Sequence, residues 1–147
     1  MSAVGLESID HTVQLTHVWI NELDERLGWN DKHHAYGLLR SVLQALRDWV
    51  PVNQAANFGA QLPELIRGVY YDQWQPAATP AKDRHRDAFM ARIDRSFTNG
   101  RILVAPEAVS TVLLFLSSKM TAGAIEHIRH ELPADVRAMW PASSRAA

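Results

Sequence analysis

Cysteine is absent from all 147 residues. That excludes disulfides, thiolate nucleophiles and cysteine-based zinc or iron–sulfur centres. An excess of either charge is missing as well: 15 Lys and Arg stand against 16 Asp and Glu, a formal net charge of −1. Nucleic acid is held by a basic stripe that displaces counterions from phosphates. The densest basic stretch, Lys82, Arg84, Arg86, Arg92 and Arg95, has Asp83, Asp87 and Asp94 interleaved with it. It reads as a solvated helix face laced with i,i+4 pairs, and no nucleic-acid partner is expected. Long apolar runs are lacking too. The longest, Val112 to Leu116, is far short of the about 20 residues of a membrane span. The first residues, Met1 to Glu7, have neither the charged start nor the apolar stretch of a secretory leader. These absences point to a cytoplasmic protein with no membrane partner. Period-two alternation is confined to Arg101 to Ala105, too short for a sheet.

What is present is helical periodicity. Apolar residues make up 47% of the chain and charged residues 21%, ordinary values for a globular fold of one-domain length. Leu6, Ile9, Val13, Thr16, Ile20, Leu23 and Leu27 recur at steps of three and four and form one inward helix face. Gly28 suits the left-handed position that closes such a helix. A second helix opens at Asn30 or Asp31, buries Ala35, Leu38, Leu39, Val42, Leu46 and Trp49, and stops at Pro51. A short third helix, capped by Asn53, is anchored by Ala56 and Phe58, and Pro63 starts a fourth with Leu65, Ile66, Val69 and Tyr70 inward. Two prolines mark Asp72 to Ala81 as a linker. A long helix from Ala81 to Phe97 follows, ended by Gly100. Then come one started by Pro106, a shorter one with Ile125 and Ile128 inward, and a last one started by Pro133. The fold class is all-α.

A shift of 70 positions brings the two halves into register without a gap. Trp19, Leu23 and Leu27 fall on Phe89, Ile93 and Phe97; Val42, Leu43 and Leu46 fall on Val112, Leu113 and Leu116; Leu62-Pro63 falls on Leu132-Pro133; Arg67 falls on Arg137. The expected architecture is therefore a multi-helical bundle made of two tandem copies of a helical unit of about 70 residues, each covering faces the other cannot bury alone. Copy one spans 1–72, a proline linker 73–81 and copy two 82–140, with 141–147 a flexible tail.

Features kept in both copies serve folding, and features of one copy are where function can be added. Arg67 and Arg137 fall in the first group, as carbonyl caps or bridges, and are the weaker candidates for binding. Copy one alone carries Gly68-Val-Tyr-Tyr-Asp-Gln-Trp74 before the linker. Tyr70, Tyr71, Asp72 and Trp74 form a candidate aromatic recognition surface, because aromatics with polar tips beside a rigid loop suit partner binding. The competing reading packs the same rings between linker and core.

The run Ala60-Gln-Leu-Pro-Glu-Leu-Ile-Arg-Gly-Val-Tyr-Tyr-Asp-Gln-Trp74, with Leu39-Arg-Ser-Val-Leu-Gln-Ala-Leu-Arg-Asp48 before it, resembles the bacterial domain-of-unknown-function family 2267. The likeness extends through Phe89, Ala108 to Val112 and Glu131-Leu-Pro133. The family places a glycine before the tryptophan of the Tyr-Tyr-Asp-x-Trp stretch; here Gln73 stands there, so a differently shaped turn is expected. Thr121-Ala-Gly-Ala124 likewise lacks the acidic residue that completes a capping box. The resemblance implies a helical bacterial protein and supplies no reaction, ligand or catalytic residue.

Six of the seven histidines group as His11 with His17, His33 with His34, and His127 with His130 near Glu126. None sits in a Glu-x-x-His or His-Glu-x-x-His pattern, so neither metal nor cofactor is expected. A nucleophile elbow and a phosphate-cradling glycine loop are both missing, and Ser117 and Ser118 have no evident base. No catalytic residue is assigned. The expected function is non-enzymatic: interaction with a protein partner or self-association as a homo-oligomer. The alternative is a small-molecule-binding or catalytic protein with a pocket between the two copies.

Overall fold

Helix ends define the architecture of the computed structural model, which describes residues 6–142. The expectations for the first five residues and for 143–147 of the tail lie outside that range. Among the described residues eight α-helices and no strand occur. They are α1 (Glu7–Leu27), α2 (Lys32–Trp49), α3 (Val52–Gly59), α4 (Glu64–Tyr71), α5 (Arg86–Thr98), α6 (Pro106–Lys119), α7 (Ala122–Glu131) and α8 (Ala134–Arg137), with a 3-10 turn at Pro76–Ala78 between α4 and α5.

Local chemistry sets these boundaries. Gly28 takes φ +70° and its N–H donates to the carbonyls of Asp24 and Glu25, closing α1. Asp31 caps α2, its side chain accepting the His34 N–H at 3.1 Å. Pro51, Pro63 and Pro133 each stand immediately before their helix, where φ near −60° is already set. Pro51 thus opens α3, and Asn53 lies inside that helix and does not cap it. Asn99, at φ +55°, closes α5 one residue before Gly100.

The centre of the fold is α2, which packs against α1, α3, α4, α5 and α6. Its residues Ala35, Leu38, Leu39, Val42, Leu46 and Trp49 are buried as expected. Around them lie Leu23 of α1, Phe58 of α3, Ile66 of α4, Phe89 and Ile93 of α5, and Val112, Leu113 and Leu116 of α6. On the far side α3 packs on α7.

Three expectations change. On α1 only the C-terminal part of the stripe is covered. Thr16, Trp19 and Leu23 are buried, whereas Leu6, Ile9 and Val13 are 54%, 53% and 37% exposed. The helix α4 meets α1 at Thr12, whose Oγ1 accepts the Leu65 N–H at 3.0 Å, leaving the first turns of α1 and Leu65 itself open. In α3 the anchor beside Phe58 is Ala55, not Ala56, and the helix starts two residues earlier than a cap at Asn53 implies. The fifth helix begins at Arg86, not at Ala81. The preceding segment is held extended by Ala81 N–H on the Asp48 carbonyl at 2.8 Å and by Arg84. That guanidinium donates to the carbonyls of Trp49 (2.8 Å from Nη2) and Glu131 (2.6 Å), while the Arg84 carbonyl accepts from Trp49 Nε1 at 3.0 Å.

Arg84 thereby joins the ends of α2 and α7 to the start of α5. Arg84→Ala is expected to lower unfolding free energy by about 2–3 kcal/mol, since charged hydrogen bonds are lost and buried carbonyls stranded. Lys82→Ala, at an exposed neighbouring site, is expected to stay within about 0.5 kcal/mol. Urea titration followed by far-UV dichroism checks both.

Candidate functional site

The aromatic stretch lies at the end of α4. Ile66 and Tyr70, four apart, both face inward, and Tyr70 is 0% exposed. Its hydroxyl donates to the Ala55 carbonyl at 2.7 Å, and its ring meets Phe58 at 5.9 Å and Tyr71 at 5.0 Å. Tyr70 is therefore a core residue and leaves the expected surface. Burial pushes its phenol well above the ordinary value. Tyr71 is half-buried, its hydroxyl on the Ala56 carbonyl at 3.3 Å and its ring stacked on Trp74 at 5.4 Å. Trp74 packs on the rim of the core with its Nε1 buried and unpartnered among the described residues. Asp72 is exposed.

Two backbone details permit this packing. A Cβ on Gly59 would stand 2.8 Å from Tyr70 Cε2 and overlap the Tyr71 phenol, so only glycine lets α3 close on α4. Gln73 takes φ +63°, the left-handed conformation that glycine adopts freely. The turn at Gln73 thus has the backbone conformation that glycine favours.

Arg67 and Arg137 cap carbonyls. Arg67 donates from Nε to Gly59 O (3.1 Å) and from Nη2 to Ala60 O (3.4 Å) and Leu62 O (2.7 Å). Arg137 does the same to Arg129 O (2.9 Å), His130 O (3.2 Å) and Leu132 O (2.7 Å). Each guanidinium fastens a proline-started helix to the end of the helix before it.

The histidines stay apart. His11 and His17 are exposed on α1. His34 Nδ1 lies 2.6 Å from Asp31 Oδ2, and hydrogen bonds from His34 hold the Asp31 carboxyl below its ordinary value. His127 is exposed along the α3–α7 groove and does not face the core; His130 Nε2 is 4.0 Å from Glu126 Oε1. Among the described residues no three His, Asp or Glu side chains converge as metal ligands.

Two features escaped the sequence reading. One is the open apolar stripe Leu6, Ile9 and Val13, whose periodicity identified a face but not how far its neighbours reach. The other is a cavity of about 340 Å³ beneath the proline linker, between the end of α2 and α5, lined by Arg47, Asp48, Arg92 and Arg95 among others. Arg92 was grouped with a solvated helix face. It instead reaches across to α2, Nε to Asp48 Oδ2 at 3.2 Å. A further groove of about 540 Å³ runs between Trp29 and Phe97 and the exposed Leu103.

The family model described as "Uncharacterized conserved protein (DUF2267)" matches residues 16–139. The chain belongs to this family. No curated protein matches it. The DUF2267 match takes in α2 to α8 and the buried half of α1, and begins after the exposed stripe Leu6 to Val13.

Arg67→Ala and Arg137→Ala are each expected to cost about 1–3 kcal/mol of stability by stranding carbonyls. Their effects should add in the double variant, since they share no partner; chemical denaturation of the three proteins measures this. Tyr70 makes a separate prediction. Its folded pKa is raised, so its contribution is complete below the unfolded value of about 10 and is lost as pH rises beyond it. Tyr70→Phe, which removes the titrating group, should be less stable than wild type at pH 8 yet lose less stability between pH 10 and 12.

Proposed function

We propose that this protein is a helical interaction module that self-associates, pairing with a second copy through the first turns of α1. The observation that carries this reading is three large aliphatic side chains, Leu6, Ile9 and Val13, in helical register and open to water. Leu65 extends the same patch from α4. Scattered surface aliphatics are ordinary, but a contiguous stripe on one face marks a surface that is covered in use.

Polar complementarity favours a second copy as its cover. Asp10 and His17 flank the stripe on one side, with Val13 between them. Antiparallel pairing about an axis at Val13 sets Asp10 of one copy beside His17 of the other and Leu6 against Ile20. Such an isologous contact closes as a dimer and forms no filament. The patch is small against the about 800 Å² per partner of a stable complex, so the association is weak and reversible.

We also infer a tandem duplication, with copy one through residue 72, the linker at 73–81 and copy two at 82–140. The offset of 70 that aligns the apolar faces also relates Arg67 to Arg137, with each of their three carbonyl acceptors. It relates the buried Tyr70 to the buried Trp140. It relates Asp24, which accepts the Asp31 N–H, to Asp94, which accepts the Val104 N–H. In this reading Tyr71, Asp72 and Trp74 hold the connection between the copies and leave partner binding to α1.

Sedimentation velocity tests the dimer. The wild-type sedimentation coefficient should rise with concentration, and that of Ile9→Glu/Val13→Glu should not, with far-UV dichroism unchanged. A wild type that stays monomeric to about 1 mM, the weak end of specific association, overturns the reading. The cysteine-free background gives a positional check: Val13→Cys should oxidise to a covalent dimer, and Val18→Cys, on the opposite face, should not.

A further inference from the structure

The cavity beneath the linker is lined by three arginines, of which Arg47 is buried, Arg92 half-buried and Arg95 exposed. Arg47, near the end of α2, is only 3% exposed. Its Nε donates to Asp48 Oδ1 at 2.9 Å, and its Nη1 to the carbonyls of Tyr70 and Asp72, both at 2.9 Å. Its Nη2 makes no hydrogen bond among the described residues. Arg92 enters from α5 and spends only its Nε, on Asp48 Oδ2. Arg95, one turn further along α5 and exposed, lines the same cavity and makes no side-chain hydrogen bond among the described residues. Asp48 is thus occupied on both oxygens and serves to aim two guanidiniums. Three guanidiniums against this single carboxylate leave an excess of two positive charges. Gln73, Gln75 and Thr79 add polar groups from the linker side.

From this arrangement we propose that the cavity is a binding site for a small dianionic oxyanion of the phosphate-ester or diphosphate type. Guanidinium forks match the oxygens of such a group two at a time, and a rigidly held fork loses little entropy on binding. The cavity volume of about 340 Å³ accommodates a small phosphorylated molecule. The fold alone does not require this charge. Seventy positions away, Arg47, Asp48, Arg92 and Arg95 correspond to Ser117, Ser118, Glu22 and Glu25. There the matching helix contact is closed by an ordinary ion pair, Lys119 Nζ to Glu22 Oε1 at 2.6 Å, and by Arg26 on Ser118. The positive cluster thus occurs at only one of the two related helix contacts, that of α2 with α5, beside the stretch Gly68 to Trp74.

The experiment is calorimetric titration of the full chain with sodium pyrophosphate, then inorganic phosphate and succinate, at fixed ionic strength. Pyrophosphate should bind saturably at one site per chain and raise Tm. Arg95→Gln and Arg92→Gln should each weaken it by at least about tenfold, the loss of a charged hydrogen bond. Arg86→Gln, on the same helix but outside the cavity, should bind as wild type does. Arg47→Gln is left aside as the measure, because it also strands the Tyr70 and Asp72 carbonyls. Succinate binding as tightly as pyrophosphate would overturn the phosphate preference. Heats that do not saturate, or that are equal in Arg86→Gln, Arg92→Gln and Arg95→Gln, would overturn the site. The site does not depend on self-association: Ile9→Glu/Val13→Glu should bind pyrophosphate normally, so the two proposals fail separately.

Discussion

Seven consecutive residues of α2, Ser41 to Arg47, are buried on every side of the helix. A helix surrounded in this way must satisfy any polar side chain it carries, because water cannot reach it. It carries three, at steps of three: Ser41, Gln44 and Arg47. Ser41 donates to Ser96 of α5, Gln44 to the Val69 carbonyl of α4, and Arg47 to the Tyr70 and Asp72 carbonyls beyond it. These bonds fix where α4 and α5 lie against α2 and use up the carbonyls at the end of α4. The apolar contacts around α2 supply most of the stabilisation; the polar ones select a single arrangement of its neighbours.

The position of the aromatic stretch follows from that constraint. With its last carbonyls held by Arg47, α4 turns Tyr70 into the core and lays Tyr71 and Trp74 against its rim. Gly59 below and the left-handed Gln73 above make room for them. The proline linker then passes over the end of α2, pinned by Ala81 on Asp48 and by Arg84 on Trp49. The charged cavity is the space left under that passage. Two of its guanidiniums, Arg47 and Arg92, are held by groups that the fold already uses, which pre-aims them while part of their donor capacity stays unspent.

The two proposed activities occupy separate places. The α1 stripe lies where no other helix among the described residues reaches, and the cavity lies where α2, α5 and the linker meet. The two places are connected by α1 packed on α2 and by α4, which packs on both.

Helix type, most helix ends and the inward residues of α2, α5 and α6 were readable from the chain alone. Periodic apolar spacing, Gly28, Asp31 and the prolines act within a few residues of where they stand, so local chemistry decides them. The family resemblance was readable for the same reason, through contiguous runs such as Ala60 to Trp74. What only the tertiary structure decided concerns neighbours far along the chain. Leu6, Ile9 and Val13 have the same period as Leu23, and whether they are buried depends on how far α4 and α6 extend along α1. Tyr70 and Tyr71 are adjacent and chemically alike, yet the angle at which α4 leaves Pro63 buries one fully and the other by half. Arg92 stands in a mixed-charge run that reads as a solvated face, and its partner, Asp48, is 44 residues away. Periodicity reports which side of a helix is apolar; only the packed chain reports what stands opposite.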